Sequence, residues 1–327
     1  NMKEKILIVG GAGYVGFMLT KKLLNSGYKV KIFDLFIYDV EFESNDDLEV
    51  IKGDVRNTSL LEKSLEGVDH VIHLACISND PSFELNPTLG KSINFDAFEP
   101  FVNLCVKKKI KKFIYASSSS VYGLSKEQNV TEEHVLKPLT DYSKFKVGCE
   151  DILSRYRNLD MSWTVIRPAT VCGYSIRQRF DVVVNLLTNL AYNKNEMSVF
   201  GGEQLRPNVN INDMVDSYLC VLKSDYKKTQ YEIFNVGYEN LKVIEIAELV
   251  KKTIKKEVIL KVLPTDDNRS YHISSGKIED KLGFKMNHTV EDAIQELVQA
   301  FDNGKYKNPL VNDNYFNIKK MQNISLK

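Results

Sequence analysis

The stretch that decides the fold is KILIVGGAGYVG, residues 5–16. Its first half, Lys5–Gly10, is an unbroken apolar run with the length of a buried strand. Residues Tyr14–Ser26 follow with the apolar spacing of a helix, and Gly27 is a natural helix stop. A strand, a glycine-rich turn and a helix in immediate succession predict a βα unit that can bind a phosphate group.

Each glycine of this turn has a steric role in such a site. Gly10 permits the tight turn, Gly13 lets a diphosphate approach the backbone, and Gly16 lets the helix pack on the strand. Asp34 ends the next apolar segment, close to the expected ~20 residues beyond the turn. A carboxylate there accepts hydrogen bonds from ribose hydroxyls and repels a 2′-phosphate, which favours NAD over NADP.

Strands and helices alternate as far as Pro168. The predicted strands are Lys5–Gly10, Lys29–Asp34, Leu48–Gly53, His70–Ala75, Lys112–Ser118 and Trp163–Pro168, and the helices include Ser59–Glu66, Phe95–Lys108 and Asp141–Arg155. Alternating strands and helices predict a parallel sheet covered on both faces. Two βαβαβ halves make a Rossmann-type, doubly wound α/β domain.

Beyond Pro168 the pattern loosens into a smaller, mixed α/β region. The predicted elements there include helices Phe180–Tyr192, Asp213–Leu222, Val243–Ile254 and Val290–Asn303, and strands Ser198–Gly202, Asn208–Ile211, Glu232–Gly237 and Glu257–Leu263. The expected NAD-binding domain is 2–172 with a returning segment at about 207–237. The expected substrate domain is 173–206 and 238–310. A polar tail, 311–327, is expected to lie on the surface.

The 327 residues are nearly balanced in charge, with 44 Lys and Arg against 43 Asp and Glu. A hydrophobic fraction of 43% and a charged fraction of 27% exclude wholesale disorder. The balance also argues against a general binder of nucleic acid or acidic membranes. Five cysteines without a Cys-x-x-Cys pair predict free thiols in a cytoplasmic protein, and the histidines lack metal-ligand spacing. No apolar run approaches the ~18 residues of a membrane span.

Tyr142 and Lys146 are four residues apart in a predicted helix, so their side chains share one face. A phenol, with a reference pKa near ~10, is a poor base, but a nearby ammonium and a positive nicotinamide ring would both favour the phenolate. SSSSVYG, residues 117–123, stands at the carboxyl end of the fifth strand, where open α/β sheets bind ligands. A serine there can share the hydrogen bond of a reacting hydroxyl or carbonyl.

Six features occur in one order: GGAGYVG, Asp34, HLAC, YASSSSVYG, YSKFK and IRPATVCG. Together they resemble an extended short-chain dehydrogenase/reductase, and more narrowly the NAD-dependent nucleotide-sugar epimerase/dehydratase family of the UDP-glucose 4-epimerase type. The resemblance covers essentially the whole chain. It implies that Tyr142 is the base, Lys146 its partner and Ser118 the third catalytic residue. Cys76 stands where the family often has Ala, and we interpret it as a packing choice.

The resemblance also implies which residues bind the two ligands. Those expected to bind NAD are Gly10, Gly13, Tyr14, Val15, Gly16, Asp34, Asp54, Val55, Leu74, Ala75, Tyr142, Lys146 and Pro168. Those expected to bind a nucleoside-diphosphate sugar are Ser118, Ser119, Asn185, Phe200, Arg206 and Arg269. The two arginines would clamp the substrate diphosphate, Asn185 would bond a phosphate, and Phe200 would stack on the base. Surface charge for the arginines and core packing for Phe200 are the alternatives.

The absence of carboxyl groups at residues 118–120 indicates which reaction of the family to expect. By the resemblance, 4,6-dehydratases carry Thr-Asp-Glu where this chain has Ser118, Ser119 and Ser120, and decarboxylating relatives use a Glu at the third position. Hydride transfer therefore remains, and we expect an epimerase that oxidises C4 of the sugar and then returns the hydride. The alternatives are a 4-dehydrogenase or keto-sugar reductase, then a 4,6-dehydratase, and last a non-enzymatic NAD-sensing protein.

The expected partners are the sugar nucleotide and a second copy of the chain, with neither nucleic acid nor membrane. Relatives commonly dimerise through two helices, and the corresponding residues, which could equally face the sheet, are Phe98, Phe101, Val102, Cys105 and Val147. Arg177 and Arg179, in GYSIRQRFD, either face the substrate or lie in a solvated loop.

Overall fold

A computed structural model describes residues 3–157, 159–267 and 270–327. Its strands are β1 (Lys5–Val9), β2 (Lys29–Asp34), β3 (Leu48–Lys52), β4 (His70–His73), β5 (Lys112–Ala116), β6 (Ser162–Pro168), β7 (Thr170–Cys172), β8 (Glu196–Phe200), β9 (Leu205–Asn210), β10 (Glu232–Val236), β11 (Glu239–Lys242) and β12 (Ile259–Leu263). Its α-helices are α1 (Tyr14–Asn25), α2 (Thr58–Ser64), α3 (Asp80–Glu84), α4 (Pro87–Lys91), α5 (Phe98–Lys107), α6 (Asp141–Ser154), α7 (Val183–Lys194), α8 (Ile211–Lys223), α9 (Tyr226–Thr229), α10 (Val243–Ile254), α11 (Gly276–Leu282), α12 (Val290–Asp302) and α13 (Asn317–Asn323).

The main sheet has seven parallel strands in the order β3-β2-β1-β4-β5-β6-β10. Alternate residues of β1 enter different cores, Ile6 and Ile8 on one face and Leu7 and Val9 on the other. All four are fully buried. Because successive side chains of a strand point to opposite faces, the sheet is covered on both sides. The predicted doubly wound, Rossmann-type α/β fold is confirmed.

The strand order reverses at β1, which has β2 on one side and β4 on the other. The amides of Leu74 and Ala75, just after β4, both donate to the carbonyl of Val9, at 2.7 and 2.9 Å. These bonds hold the carboxyl ends of β1 and β4 together. Open α/β sheets bind their ligands at such a switch point.

The smaller region contains two further sheets, β11-β9-β7 and β12-β8. Helices α7, α10 and α12 pack together around a core of their own. After β9 the chain returns to the larger region, because α8 packs against α1 and β10 pairs in parallel with β6.

The helix predicted before β5 begins differently in the structure. Instead of one helix over Phe95–Lys108, a π-helical turn over Ser92–Asp96 leads into α5. The side chain of Asn94 bonds both the amide and the carbonyl of Ile77, at 2.8 and 3.1 Å. The wider turn thereby ties the loop after β4 to the helix. None of the helices in the described ranges combines the length and the apolar character that a membrane span needs.

Candidate active site

The loop after β1 is packed so closely that two of its glycines are required by the protein itself. Gly10 has a φ of +89°, and a Cβ built on it would lie 2.6 Å from the amide nitrogen of Ala75. A Cβ on Gly16 would lie 2.2 Å from the carbonyl oxygen of Gly10. Real Cβ atoms do not approach backbone so closely, so a larger residue at either position would have to displace the backbone.

Gly13 differs, because a Cβ there would meet only the Gly10 oxygen, at 3.4 Å. Gly13 is the N-cap of α1, and within the described residues no side chain caps this helix and its first turn has no acidic residue. Uncapped amides at a helix start bind phosphate oxygens. Space over Gly13 that a Cβ would fill, beside open amides, fits the diphosphate of a dinucleotide.

Asp34 ends β2 with its carboxylate held in place. Oδ2 accepts a hydrogen bond from the Ala12 amide at 3.0 Å, and Oδ1 accepts one from the Phe36 amide at 2.9 Å. Burial raises the pKa of this carboxyl, while the two amides and the guanidinium of Arg177 act against the rise. The fixed carboxylate stands where the ribose of an adenosine would be recognised.

A cleft of about 550 Å³ extends from the glycine loop to β9. The predicted residues that line it are Gly10, Gly13, Tyr14, Val15, Gly16, Asp34, Val55, Leu74, Ala75, Ser118, Ser119, Tyr142, Pro168 and Arg206. A cavity of this size is ordinary for a small-molecule site. No cluster of three or more potential metal ligands occurs anywhere in the described ranges.

Helix α6 presents Tyr142 and Lys146 on one face. Its N-cap is Thr140, whose Oγ1 accepts a hydrogen bond from the Ser143 amide at 3.2 Å. Lys146 is buried and donates from Nζ to the Ala116 carbonyl at 2.8 Å. Its ammonium lies 5.6 Å from the centre of the Tyr142 ring. The lysine is thus fixed behind the phenol and between α6 and β5.

Burial raises the pKa of the Tyr142 phenol well above its ordinary value, and Cys76 and Asp80 raise it further. Arg179 acts in the opposite direction. Desolvation therefore outweighs the lowering that was expected from the neighbouring ammonium. An additional positive charge beside this phenol, such as an oxidised nicotinamide ring, would favour the phenolate.

A chain of hydroxyl groups connects Ser118 with a carboxylate. Ser118 Oγ donates to Ser120 Oγ at 2.9 Å, and Ser143 Oγ donates to the same oxygen at 2.8 Å. Thr140 Oγ1 lies 3.1 Å from Ser143 Oγ and also bonds the carboxylate of Asp80. These contacts fix the position of Ser118 in the cleft.

A buried ion pair anchors the residues beside these serines. Arg167 on β6 and Glu150 on α6 pair at 2.6 Å, and Ser117 Oγ donates to the same carboxylate at 2.6 Å. Arg167 also donates to the hydroxyl of Tyr122 at 2.9 Å. The segment from Ser117 to Tyr122 is thereby tied to both β6 and α6.

Asn185, a predicted phosphate ligand, is fully buried in α7. Its Oδ1 accepts the Gly173 amide at 2.9 Å, and its Nδ2 donates to the Tyr14 hydroxyl at 3.1 Å and the Arg179 carbonyl at 2.9 Å. These three bonds occupy its amide group with protein partners. In the described part of the chain Asn185 is not in the cleft lining but supports residues that are.

Of the remaining residues predicted to bind a ligand, some line the cleft and others do not. Arg206 on β9 lines the cleft and pairs with Asp267 at 3.1 Å, so a bound phosphate would share it with that carboxylate. Phe200, at the end of β8, is 58% exposed. Neither it nor Asp54, which pairs with a neighbouring arginine at 2.7 Å, belongs to the lining in the described ranges. Arg269 lies outside the described residues.

Sequence reasoning missed several residues of the cleft. Cys76 and Asp80 line it near Tyr142. Asp80 follows β4 at the carboxyl edge of the sheet, and this place was the signal that could have found it. The tail also contributes, with Asn317, Met321 and Leu326 in the lining. Nothing in its polar sequence marked that contact.

A family model, the NAD dependent epimerase/dehydratase family, matches residues 6–237. The chain belongs to this family. It is an enzyme of the extended short-chain dehydrogenase/reductase type, and its cofactor is NAD. The open amides before α1 and the fixed carboxylate of Asp34 agree with that cofactor.

Similar proteins include members with different reactions. The UDP-glucose 4-epimerase of Lactobacillus helveticus is 26% identical over 315 residues, covering 89% of this chain and 94% of that one. UDP-glucuronic acid decarboxylase 1 of Arabidopsis thaliana is 26% identical over 315 residues, covering 91% and 70%. The crystal structure of UDP-glucuronic acid 4-epimerase from Bacillus cereus, in complex with UDP-glucuronic acid and NAD, has a TM-score of 0.81 and 26% identity, covering 91% and 99%.

Proposed function

We propose that the protein is an epimerase of a nucleoside-diphosphate sugar that acts at C4 of the sugar. The C4 hydroxyl is oxidised to a transient ketone, which turns in the site before the hydride returns to its other face. NAD, when bound, accepts this hydride and gives it back. Relatives named as epimerases of UDP-glucose and UDP-glucuronic acid support the substrate class.

Two side chains of the cleft lining, Tyr142 and Ser118, and the buried Lys146 beside them carry the proton chemistry. Tyr142 removes the proton of the C4 hydroxyl and returns it at the end of the cycle. Lys146, fixed beside the phenol by its bond to the Ala116 carbonyl, favours the phenolate while the proton is away. Ser118, held by Ser120, shares a hydrogen bond with the reacting oxygen.

The observation that carries the proposal is the chemistry of Ser118, Ser119 and Ser120. Elimination of water from the sugar needs groups that give and take protons at carbons beyond C4, and carboxyl groups do this near neutral pH. Unactivated hydroxyls are too weak as acids and as bases. The carboxylate at the end of the hydroxyl chain, Asp80, is bonded by Thr140. This arrangement supports oxidation and reduction at C4 without elimination of water.

A sugar-nucleotide 4-dehydrogenase or keto-sugar reductase would use the same side chains for half of the cycle. The two reactions differ in where the hydride ends. The test uses UDP-glucose and UDP-glucuronic acid with deuterium at C4, the full chain, and less NAD than substrate.

We expect the 4-epimer to accumulate over many turnovers, with its deuterium retained and without net formation of NADH. Nuclear magnetic resonance follows the label, and absorbance follows the reduced cofactor. Stoichiometric ketone with accumulating NADH would assign the dehydrogenase. A product that has lost water would assign the dehydratase, and either product overturns the proposal.

A further inference from the structure

The arginine loop, residues 173–182, connects β7 with α7 and rests on the first residue of α1. The Tyr14 hydroxyl donates to a carbonyl of this loop at 2.7 Å, and Ser175 Oγ donates to the Tyr14 carbonyl at 2.8 Å. Arg177 and Arg179 both line the cleft. The loop therefore holds two guanidinium groups beside the helix start whose open amides fit a diphosphate.

Arg177 is only 3% exposed. Its guanidinium lies 3.4 Å from the centre of the Tyr38 ring, and its Nη2 donates to Asn317 Oδ1 at 2.7 Å. Its Nε is buried and has no hydrogen-bond partner among the described residues. Burial lowers the pKa of Arg177 to about 10, so the group keeps its charge at neutral pH.

Arg179 is fixed along one edge of its guanidinium. Its Nε donates to Asp181 Oδ1 at 2.8 Å. Its Nη2 is also buried, and no group in the described ranges accepts a hydrogen bond from it. Buried donors are nearly always paired, and leaving one without a partner destabilises the fold. Two such donors on one loop, both on residues lining a cleft, indicate that a ligand supplies the acceptors.

The two arginines act electrostatically on groups at both ends of the expected cofactor region. The charge of Arg177 opposes the burial that raises the pKa of Asp34, which marks the adenosine end. The charge of Arg179 opposes the burial that raises the pKa of both Tyr38 and Tyr142, and Tyr142 marks the reacting end. In NAD the diphosphate joins the two nucleosides, so it must lie between these ends.

We propose that Arg177 and Arg179 form a side-chain clamp on the diphosphate of the bound dinucleotide. The inference rests on the family's cofactor and not on the proposed sugar reaction. The glycine loop supplies only uncharged amides, whereas the clamp adds two planar cations suited to phosphate oxygens. Asp34 and Asp181 balance these cations while no anion is bound.

Helix α13 fixes the positions of both Arg177 and Arg179 through its first residue, Asn317. The side-chain oxygen of Asn317 accepts the hydrogen bond from Arg177, and its backbone amide donates a hydrogen bond to Asp181 Oδ2 at 2.9 Å. Asp181 in turn holds Arg179. One residue of the tail therefore fixes the position of both guanidinium groups.

The test measures binding of NAD, ADP, adenosine and UDP to the full chain by calorimetry. The variants are Arg177→Gln and Arg179→Gln, which remove the charge and nearly keep the length. We expect affinities for NAD and ADP to fall about 10- to 100-fold, the worth of a charge-assisted hydrogen bond, while adenosine binds as before. Unchanged ADP affinity overturns the clamp. Weaker UDP binding with unchanged ADP binding overturns it too, because the arginines would then serve the substrate.

Arg155→Gln is the matched control, since that side chain is 61% exposed at the end of α6. It should leave the affinities for all four ligands unchanged. Unaltered adenosine binding shows that a variant is folded. Where Arg179→Gln does not bind adenosine, Arg179→Lys decides instead, because it keeps the charge but loses the planar fork, and its ADP affinity must still fall. Each readout is a binding constant, so failure of the epimerase reaction would leave this result intact.

Discussion

The groups around Tyr142 shift the pKa of its phenol in opposite directions. Burial, Cys76 and Asp80 make its phenol a weaker acid, and Arg179 acts against them. Further positive charge beside the phenol would lower its pKa again. In the proposed mechanism an oxidised nicotinamide would supply that charge, which would couple proton transfer at Tyr142 to cofactor binding.

Tyr142→Phe removes the hydroxyl and little else. We expect turnover to fall by on the order of 10²- to 10⁴-fold, because general acid–base catalysis contributes about that much. Initial rates of 4-epimer formation measure the loss, and calorimetry should find NAD still bound. Tyr238→Phe, at a side chain that is 47% exposed, is the control. Wild-type turnover in Tyr142→Phe would contradict the proposed mechanism.

His73 makes stability depend on pH. Burial, with a smaller contribution from the ammonium of Lys146, lowers its pKa from 6.5 to about 3. The unfolded chain takes up this proton below pH 6.5 and the folded chain only near pH 3. Stability from this residue is therefore present above pH 6.5 and is lost as the pH falls toward 3.

The variant His73→Leu removes this proton uptake. Its free energy of unfolding should fall less between pH 7 and about pH 4 than that of the wild type, as urea titrations at each pH would measure. His272→Leu, at a half-buried position, is the matched control. Identical pH profiles for wild type and His73→Leu would show that His73 is not the group responsible.

The turn between β1 and α1 is an element with almost no spare volume. A Cβ on Gly16 would lie 2.2 Å from the Gly10 oxygen, whereas one on Gly276 has Ser274 Oγ as its nearest neighbour, at 3.5 Å. Gly16→Ala should therefore lower the free energy of unfolding by about 1–3 kcal/mol, the usual effect of overpacking, and weaken NAD binding. Gly276→Ala is the control for urea unfolding. Equal stability of the two variants would mean that the turn can relax.

Helix α6 is joined to β6 by the buried pair of Glu150 and Arg167, which are 6% and 3% exposed. Glu150→Leu should cost roughly 3–5 kcal/mol of unfolding free energy, because it leaves a buried guanidinium without its partner. The double variant Glu150→Leu/Arg167→Met should recover most of that loss. If the double variant is as unstable as the single one, the lost packing and not the orphaned charge is the cause.

Across the whole chain, local patterns predicted most of the main sheet. The strand Lys29–Asp34 and the helix Val243–Ile254 begin and end where their apolar spacing predicted. The π-helical turn at Ser92–Asp96 was not predictable, because it depends on the bond between Asn94 and a loop far back in sequence. Sequence patterns reflect interactions between residues that are close in sequence, and they do not predict contacts between distant segments.

The residues of the cleft also differ in how far the sequence could predict them. Gly13, Asp34 and Tyr142 are recognisable because each follows a strand or lies on a helix at a spacing that chemistry requires. Asn185 was predicted as a ligand, but its bonds to Tyr14 and the arginine loop depend on the tertiary fold. No spacing rule could place its amide beneath the cleft lining.

Because the lining runs from Gly10 to Leu326, NAD binding should stabilise the whole molecule. At NAD a hundredfold above its dissociation constant, we expect the free energy of unfolding to rise by about 2.7 kcal/mol. Thermal melts with and without NAD measure this. NADP at the same concentration should raise the melting temperature less, since Asp34 repels a 2′-phosphate. Equal shifts would contradict that role of Asp34.

Helix α13 has a consequence for the order of events during synthesis. The glycine loop leaves the ribosome early, yet Asn317 and the rest of the cleft wall that α13 contributes emerge some three hundred residues later. A nascent chain can fold its first strands long before it can enclose a dinucleotide. We therefore expect the cleft to be completed for cofactor binding only after α13 has been made.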